Sequence, residues 1–429
     1  MKRQRFAVIG TGGRSEMYWR ALGRNQDMME ANELVALLDP NRTRMEFVRR
    51  KLERPELATY QPHEFEKMVA EQKLDGIVVT CRDSLHAGYI VKGLNAGLRV
   101  VTEKPMTTDA ESCQAILDAA RGREENLTVT FNYRYAPFNS KVRELVQNGE
   151  IGQVTMASLS WFLDITHGAD YYRRWHRHKA DSGSLWVHKA THHFDLVNWW
   201  TASRPETVFA LGTRRFYRPE TRAAHERCLT CDDRECRFRL DLADGKKLQA
   251  LYLDAEKEDG YFRDRCVFSP DMDIWDTRSA TVGYTNGMML SYSLHNYAPR
   301  EGFRLILNGT GGRIELDVTE HSYVSGADGR LSVQQGVKGV EIRMQKLFEE
   351  QRVVPFEMPQ GGHGGGDSRL LRDVFVRHKQ PNDPLKTAAG PLDGACSILV
   401  GIAARKSIET GAPVRISELV RLPGEGACA

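Results

Sequence analysis

The first 134 residues predict an α/β domain built on a parallel sheet, and three observations carry the prediction. Short apolar runs alternate with amphipathic stretches, a glycine-rich turn follows the first run, and an acidic residue closes the second. At 429 residues the chain is too long for one ordinary core, so a second domain is expected over residues 135–429.

Residues 5–9 form an apolar run ending at Gly10-Thr11-Gly12-Gly13, and an amphipathic stretch over 15–22 predicts a helix. Residues 33–38 predict a second buried strand, closed by Asp39-Pro40; 75–80 and 99–102 predict two more. Helical patterns over 84–95 and 109–121 separate them. The turn reads Gly10-x-Gly12-x-x-Ser15. One glycine permits the strand-to-helix turn, and the next lets backbone N–H groups reach a pyrophosphate at the helix N-terminus. Ser15 stands where a third small residue packs the helix close. In this Rossmann context Gly10, Gly12, Gly13 and Asp39 are candidate nucleotide ligands. A carboxylate at Asp39 can bind ribose hydroxyls and repel a 2′-phosphate, which favours NAD. An Asp before Pro is also a turn former, and Arg42 and Arg44 leave NADP open.

Lys+Arg is 60 against Asp+Glu 57, so no global field draws nucleic acid or an anionic membrane. No apolar run approaches the ~20 residues that span a bilayer. The apolar part of MKRQRFAVIG is too short for a signal peptide, and a cytoplasmic protein is expected.

The fourth strand ends in Thr102-Glu103-Lys104-Pro105. With the glycine turn, this resembles the Gfo/Idh/MocA family (glucose–fructose oxidoreductase, inositol dehydrogenase, rhizopine catabolism), whose hallmark is Glu-Lys-Pro at this strand end. The loop Cys81-Arg82-Asp83-Ser84-Leu85-His86 and the segment Asn132-Tyr133-Arg134 match the family at His86 and at the domain junction. Residues 297–315, with Pro299-Arg300-Glu301-Gly302 and Gly309-Thr310-Gly311-Gly312-Arg313, are similar to its sheet-domain signature. The resemblance implies that His86, Glu103 and Lys104 adjoin the cofactor. It also implies a second domain with a large, open, mostly antiparallel sheet, helices on one face and a homodimer or homotetramer contact on the other. Residues 153–163, 240–253 and 281–296 are strand candidates there. Because open α/β sheets bind ligands at strand carboxyl ends, Lys104 is placed to hold a substrate hydroxyl.

Residues 184–200 predict a helix with His188, His192 and Asp195 at i, i+4 and i+7. In the family's sugar and polyol dehydrogenases this helix carries Asp-x-x-x-His, the His acting as general base. His192 matches that His, and His188 stands where the Asp usually does. The i, i+4 pair is also a metal-ligand spacing, but no Glu follows His188 and no third ligand is evident. His193 reads as a core residue, and Asp195 as a group that orients a neighbour. Upstream, residues 170–177 are rich in donors and rings, which makes Arg174 and Trp175 substrate candidates. The glycine run 361–367, holding His363 and Asp367, reads as a loop that closes over substrate or a plain linker.

His225-x2-Cys228-x2-Cys231-x4-Cys236 fits structural zinc, with Cys266 or His225 as fourth ligand; free cysteines in a loop are the alternative. The function expected is an NAD(H)-dependent dehydrogenase acting on a secondary alcohol of a sugar, glycoside or cyclitol. Lys104 and His192 form the acid–base pair, and His188 assists. Two alternatives stand beside it: a glycosidase or lyase that recycles tightly held NAD, and a non-enzymatic NAD-binding sensor.

Overall fold

The computed structural model describes residues 2–325, 332–333, 339–358, 365–376 and 383–423. The N-terminal strands are β1 (Gln4–Ile9), β2 (Asn32–Leu38), β3 (Ala58–Tyr60), β4 (Gly76–Val79), β5 (Arg99–Thr102) and β6 (Leu127–Val129). They form one parallel sheet in the order β3-β2-β1-β4-β5-β6. Strands β4 and β5 are buried along their whole length, as helices on both faces require. The chain order reverses between β1 and β4, and the carboxyl ends of these strands open the crevice where ligands of such sheets bind.

The second sheet has nine strands: β7 (Val154–Asp164), β8 (Pro205–Thr213), β9 (Thr277–Tyr284), β10 (Met289–Ala298), β11 (Glu301–Gly309), β12 (Gly312–His321), β15 (Gly339–Lys346), β16 (Arg352–Val353) and β17 (Val414–Arg415). Val324–Ser325 (β13) and Ser332–Val333 (β14) make a separate small hairpin. The order is β16-β15-β12-β11-β7-β10-β9-β8-β17, antiparallel throughout except between β7 and β10. The helices Ala190–Thr201 and Pro391–Thr410 cover one face, and their apolar side chains join the main core. Among the described residues no helix is long and apolar enough to cross a membrane.

Three sequence expectations are corrected. Residues 240–253 are not a strand: Lys246–Leu248 is helical and continues into a π-helical turn at Gln249–Leu253. This segment packs on the nucleotide domain, where Leu251 and Tyr252 join Trp19 and Phe47 in one cluster. Residues 281–296 are not one strand either. Gly287, at φ +82°, turns the chain after Tyr284 and makes a hairpin of β9 and β10. The helix expected over 184–200 begins only at Ala190. Ser184 sits at φ +67° and the residues up to Lys189 form turns, so His188 precedes the helix and is not one turn behind His192.

The chain recrosses the junction at 134. Residues 214–276, inserted between β8 and β9, reach the nucleotide domain. The helix Gly366–Phe375 docks there as well: Asn32 Nδ2 donates to Phe375 O at 2.8 Å, and the Phe375 ring meets Phe6 at 5.5 Å.

Candidate active site

The glycine turn lies at the end of β1. Gly10 has φ +86°, and a Cβ there would stand 2.6 Å from the Cys81 backbone, so only glycine fits. A Cβ on Gly12 would meet nothing within 4 Å. Gly12 leads the helical turn Gly13–Ser15 and the helix Glu16–Arg24 without any side-chain cap, which leaves the first amides for an outside acceptor. One acceptor oxygen is already there: the Tyr252 hydroxyl takes the Gly13 amide at 3.2 Å. Ser15 Oγ donates to Gly12 O at 2.7 Å and fastens the turn. An N-terminus without its own side-chain cap, whose amides donate to oxygen, fits a dinucleotide pyrophosphate.

Asp39 is turned into the turn itself. Its Oδ2 accepts from Thr11 N at 2.6 Å and Thr11 Oγ1 at 2.9 Å, and its Oδ1 accepts from Asn41 N at 2.8 Å. Another carboxylate stands at the next helix, Arg42–Leu52: Glu258 accepts from the amides of Arg42 and Thr43 at 2.5 and 3.0 Å. Arg44 is spoken for by Asp259 and Leu251 O. Neither Tyr252 nor Glu258 was legible in the sequence, because both come from the insertion.

At the end of β5, Glu103 is clasped by Arg14 Nε at 2.6 Å and the Tyr18 hydroxyl at 2.7 Å. It thereby ties β5 to the first helix. His86 has a comparable tie: its Nδ1 lies 2.8 Å from Pro105 O and its Nε2 3.2 Å from Cys81 O. Burial lowers its pKa and keeps the ring neutral, so one N–H serves the shorter Pro105 contact. Both residues were expected at the cofactor; their polar atoms brace the loops that surround it.

Lys104 lies at the centre of this cluster. Its Nζ donates to His188 O at 3.1 Å. Burial pulls the ammonium down to about 8, against the pull of Asp83 and Glu103. His188 Nδ1 lies 2.5 Å from Asp83 Oδ2. Burial pushes the Asp83 carboxyl up and, with the Lys104 cation, pushes the His188 imidazolium well below its usual range. The Asp83 signal was present in the sequence, three residues before His86, but only the fold brings it to His188.

The remaining expected residues gather nearby. Trp175 presents its edge to His188 at 5.8 Å and stacks on His176 at 3.7 Å. Arg174 is held through Asp170 at 3.4 Å, and Asp170 in turn binds Arg263 of the insertion at 2.6 Å. His192 is buried against the Tyr133 ring at 4.9 Å and the Phe131 ring at 6.0 Å. His193 is a core residue, stacked on Trp161 at 3.8 Å and bonded to the Tyr292 hydroxyl at 2.7 Å. Asp195 forms a two-pronged pair with Arg134 at 2.6 and 2.8 Å, away from chemistry. Lys189, not foreseen, is buried beside the Tyr133 and Trp161 rings at 5.7 and 5.6 Å. His363 lies outside the described residues; Asp367 accepts from Asn132 Nδ2 at 2.7 Å at the domain junction.

Comparison with known proteins bears on the family and the fold. Residues 4–131 match the family model described as oxidoreductase family, NAD-binding Rossmann fold, and residues 143–416 match its C-terminal alpha/beta domain. A protein of Bacillus subtilis (strain 168) named as an oxidoreductase, YteT, is 37% identical over 408 residues, 91% of this chain and 92% of that one. Inositol 2-dehydrogenase of Rhizobium meliloti (strain 1021) is 26% identical over 208 residues, 48% of this chain and 57% of that one. Among solved structures, an oxidoreductase domain protein from Kribbella flavida superposes with TM-score 0.66 at 16% identity, over 97% of this chain and 100% of that one.

Proposed function

Because the chain belongs to the Gfo/Idh/MocA oxidoreductase family, we propose that it oxidises a secondary alcohol of a sugar, glycoside or cyclitol, with NAD as the preferred nucleotide. The observation that carries the reading is the buried Lys104 beside the Asp83–His188 pair at the carboxyl ends of the strands. When bound, the nicotinamide supplies the two-electron acceptor. The residues do the rest. Lys104 holds the hydroxyl oxygen, and an amine with pKa near 8 can pass a proton at physiological pH. His192 takes the hydroxyl proton as the C–H electron pair departs. His188, fixed by Asp83, stands next to this transfer. Position 188 carries an imidazole, and Asp83 supplies a carboxyl group to it through space at 2.5 Å.

The nucleotide preference rests on Glu258 and Arg44. A carboxylate on the Arg42 and Thr43 amides repels a 2′-phosphate, and the guanidinium that could bind one is already paired. Trp175 offers a flat face for sugar C–H surfaces. The open sheet face exposes Met156, Phe209, Leu211 and Met289, which suits a second copy of the chain. One observation favours a redox-neutral variant of the cycle: Tyr252 and Glu258 lie over the nucleotide edge and would slow its exchange. A panel of sugars, glycosides and cyclitols, followed for both NADH absorbance and bond cleavage, tests the reading. Accumulation of NADH with an alcohol supports the dehydrogenase; cleavage without NADH supports the recycling variant; nucleotide binding with neither defeats both.

A further inference from the structure

The insertion between β8 and β9 brings all of the clustered cysteines to one place. Cys228, Cys231, Cys236 and Cys266 line a single pocket together with His225. Cys266 arrives from 30 residues downstream of Cys236 through one antiparallel bridge, Arg227 to Arg265. Around it, Cys228 N donates to Asp264 O at 2.8 Å and Cys266 N to Glu226 O at 3.1 Å. The two sulfur-bearing residues are thus held on adjacent chain segments. None of these four cysteines is in a disulfide. Phe268 N donates to Cys266 Sγ at 3.5 Å, which fixes the position of that sulfur. Arg239 Nη1 donates to Cys231 O at 3.1 Å and places a cation at the pocket wall. His225, Cys231 and Asp232 have ligand atoms within 4.8 Å of one another, close to the spacing around a bound ion, though Asp232 is exposed.

We propose that Cys228, Cys231, Cys236 and Cys266 hold one Zn²⁺, and that this ion fastens the insertion so that its far end stays on the nucleotide edge. Soft sulfur donors that line one pocket from two chain segments suit tetrahedral zinc; among the described residues the ligand spacing around this pocket is shown by His225, Cys231 and Asp232, so the other three thiols reach the ion by side-chain rotation. Arg239 offsets part of the excess negative charge of four thiolates. The mechanical link is Arg227, the neighbour of the first ligand. Its guanidinium pairs with Asp264 at 2.7 Å and with Glu256 at 2.5 Å. Glu256 opens the short helix Glu256–Asp259, whose Glu258 binds the Arg42 and Thr43 amides. Just before it, Ala255 O accepts from Asn41 Nδ2 at 2.9 Å, and Tyr252 reaches Gly13. The segment's own contacts to the nucleotide domain run through Leu251, Tyr252, Ala255 and Glu258, and a crosslink at its base adds to them by limiting how far it can open. The second half of the proposal rests on the nucleotide site proposed above; the metal itself does not.

Two measurements on the full-length protein, purified without chelator, decide the matter. Elemental analysis should give about one zinc per chain, the stoichiometry of a closed four-ligand site. Cys266→Ser and Cys231→Ser should lose it and His225→Ala should keep it. Hydrogen exchange should then show that stripping zinc from the wild type with a strong chelator speeds exchange over residues 246–259 and leaves β1, β4 and β5 unchanged. Zinc near zero with all four thiols freely alkylated would overturn the site, as would iron in its place. Loss of zinc on His225→Ala but not Cys266→Ser would overturn the ligand set. Unchanged exchange over 246–259 after zinc removal would overturn the clamp, whether or not the protein proves to be a dehydrogenase.

Discussion

Asp83 and His188, 105 positions apart in the chain, meet at 2.5 Å beside the end of β5. This relationship sets the first prediction. Removal of His192 is expected to lower kcat by about 10²–10⁴-fold, the usual cost of a lost general base. Asp83→Asn should cost less and act through His188, so its effect should largely vanish in a His188→Ala background. Steady-state kinetics on the four variants check this. A mild His192→Ala beside an inactive His188→Ala would transfer the base to the other imidazole.

Lys104 gives a pH-dependent prediction. Its folded-state pKa is lowered from 10.5 to about 8, so between these values the unfolded chain binds a proton that the folded chain does not. Stability attributable to Lys104 therefore rises as pH increases from about 8 to about 10.5. Denaturant titrations of wild type and Lys104→Met should diverge in that window, the wild type gaining relative to the variant. Parallel curves across the window would show that burial does not tax the ammonium.

Glu258 and Asp39 should separate binding from selectivity. Glu258→Ala should narrow the preference for NAD over NADP, because the amides of Arg42 and Thr43 become free for a phosphate. Asp39→Ala should instead weaken both nucleotides and lower stability, since three donors lose their acceptor. Titration calorimetry with each nucleotide reads both effects, and tighter NADP binding by the wild type would defeat the assignment.

Arg134 and Asp195 offer a test confined to structure. The pair is buried and two-pronged, and Asp393 adds a third contact at 3.0 Å. Asp195→Ala leaves a buried guanidinium short of its main partner and should cost about 3–5 kcal/mol in unfolding free energy. Nucleotide affinity measured well below the melting temperature should stay near wild type. A loss under about 1 kcal/mol would mean that Arg134 finds other partners.

The strands of the nucleotide domain were legible because each is a short apolar run next to its own turn residues. Gly10, Lys104 and the cysteine spacing were legible for the same reason: backbone sterics, strand-end placement and ligand chemistry all act over a few positions. The start of the histidine helix was not, because an apolar, aromatic run from 184 to 200 reads as helix throughout, while the turns before Ala190 are set by packing. Residues 240–253 were misread because their alternation is satisfied by a docked helical turn as well as by a strand. Tyr252 and Glu258 carry no local mark at all, and Asp83, three residues before His86, carries none that points to His188. Their roles come from long-range closure: one loop of the nucleotide sheet meets the turn before a distant helix, and an insertion in the second sheet folds back across the glycine turn. Sequence fixes which side chains can do chemistry wherever the cause is local. Which of them face one another depends on how the two sheets pack, and burial then shifts Lys104, Asp83 and His188 toward their neutral forms.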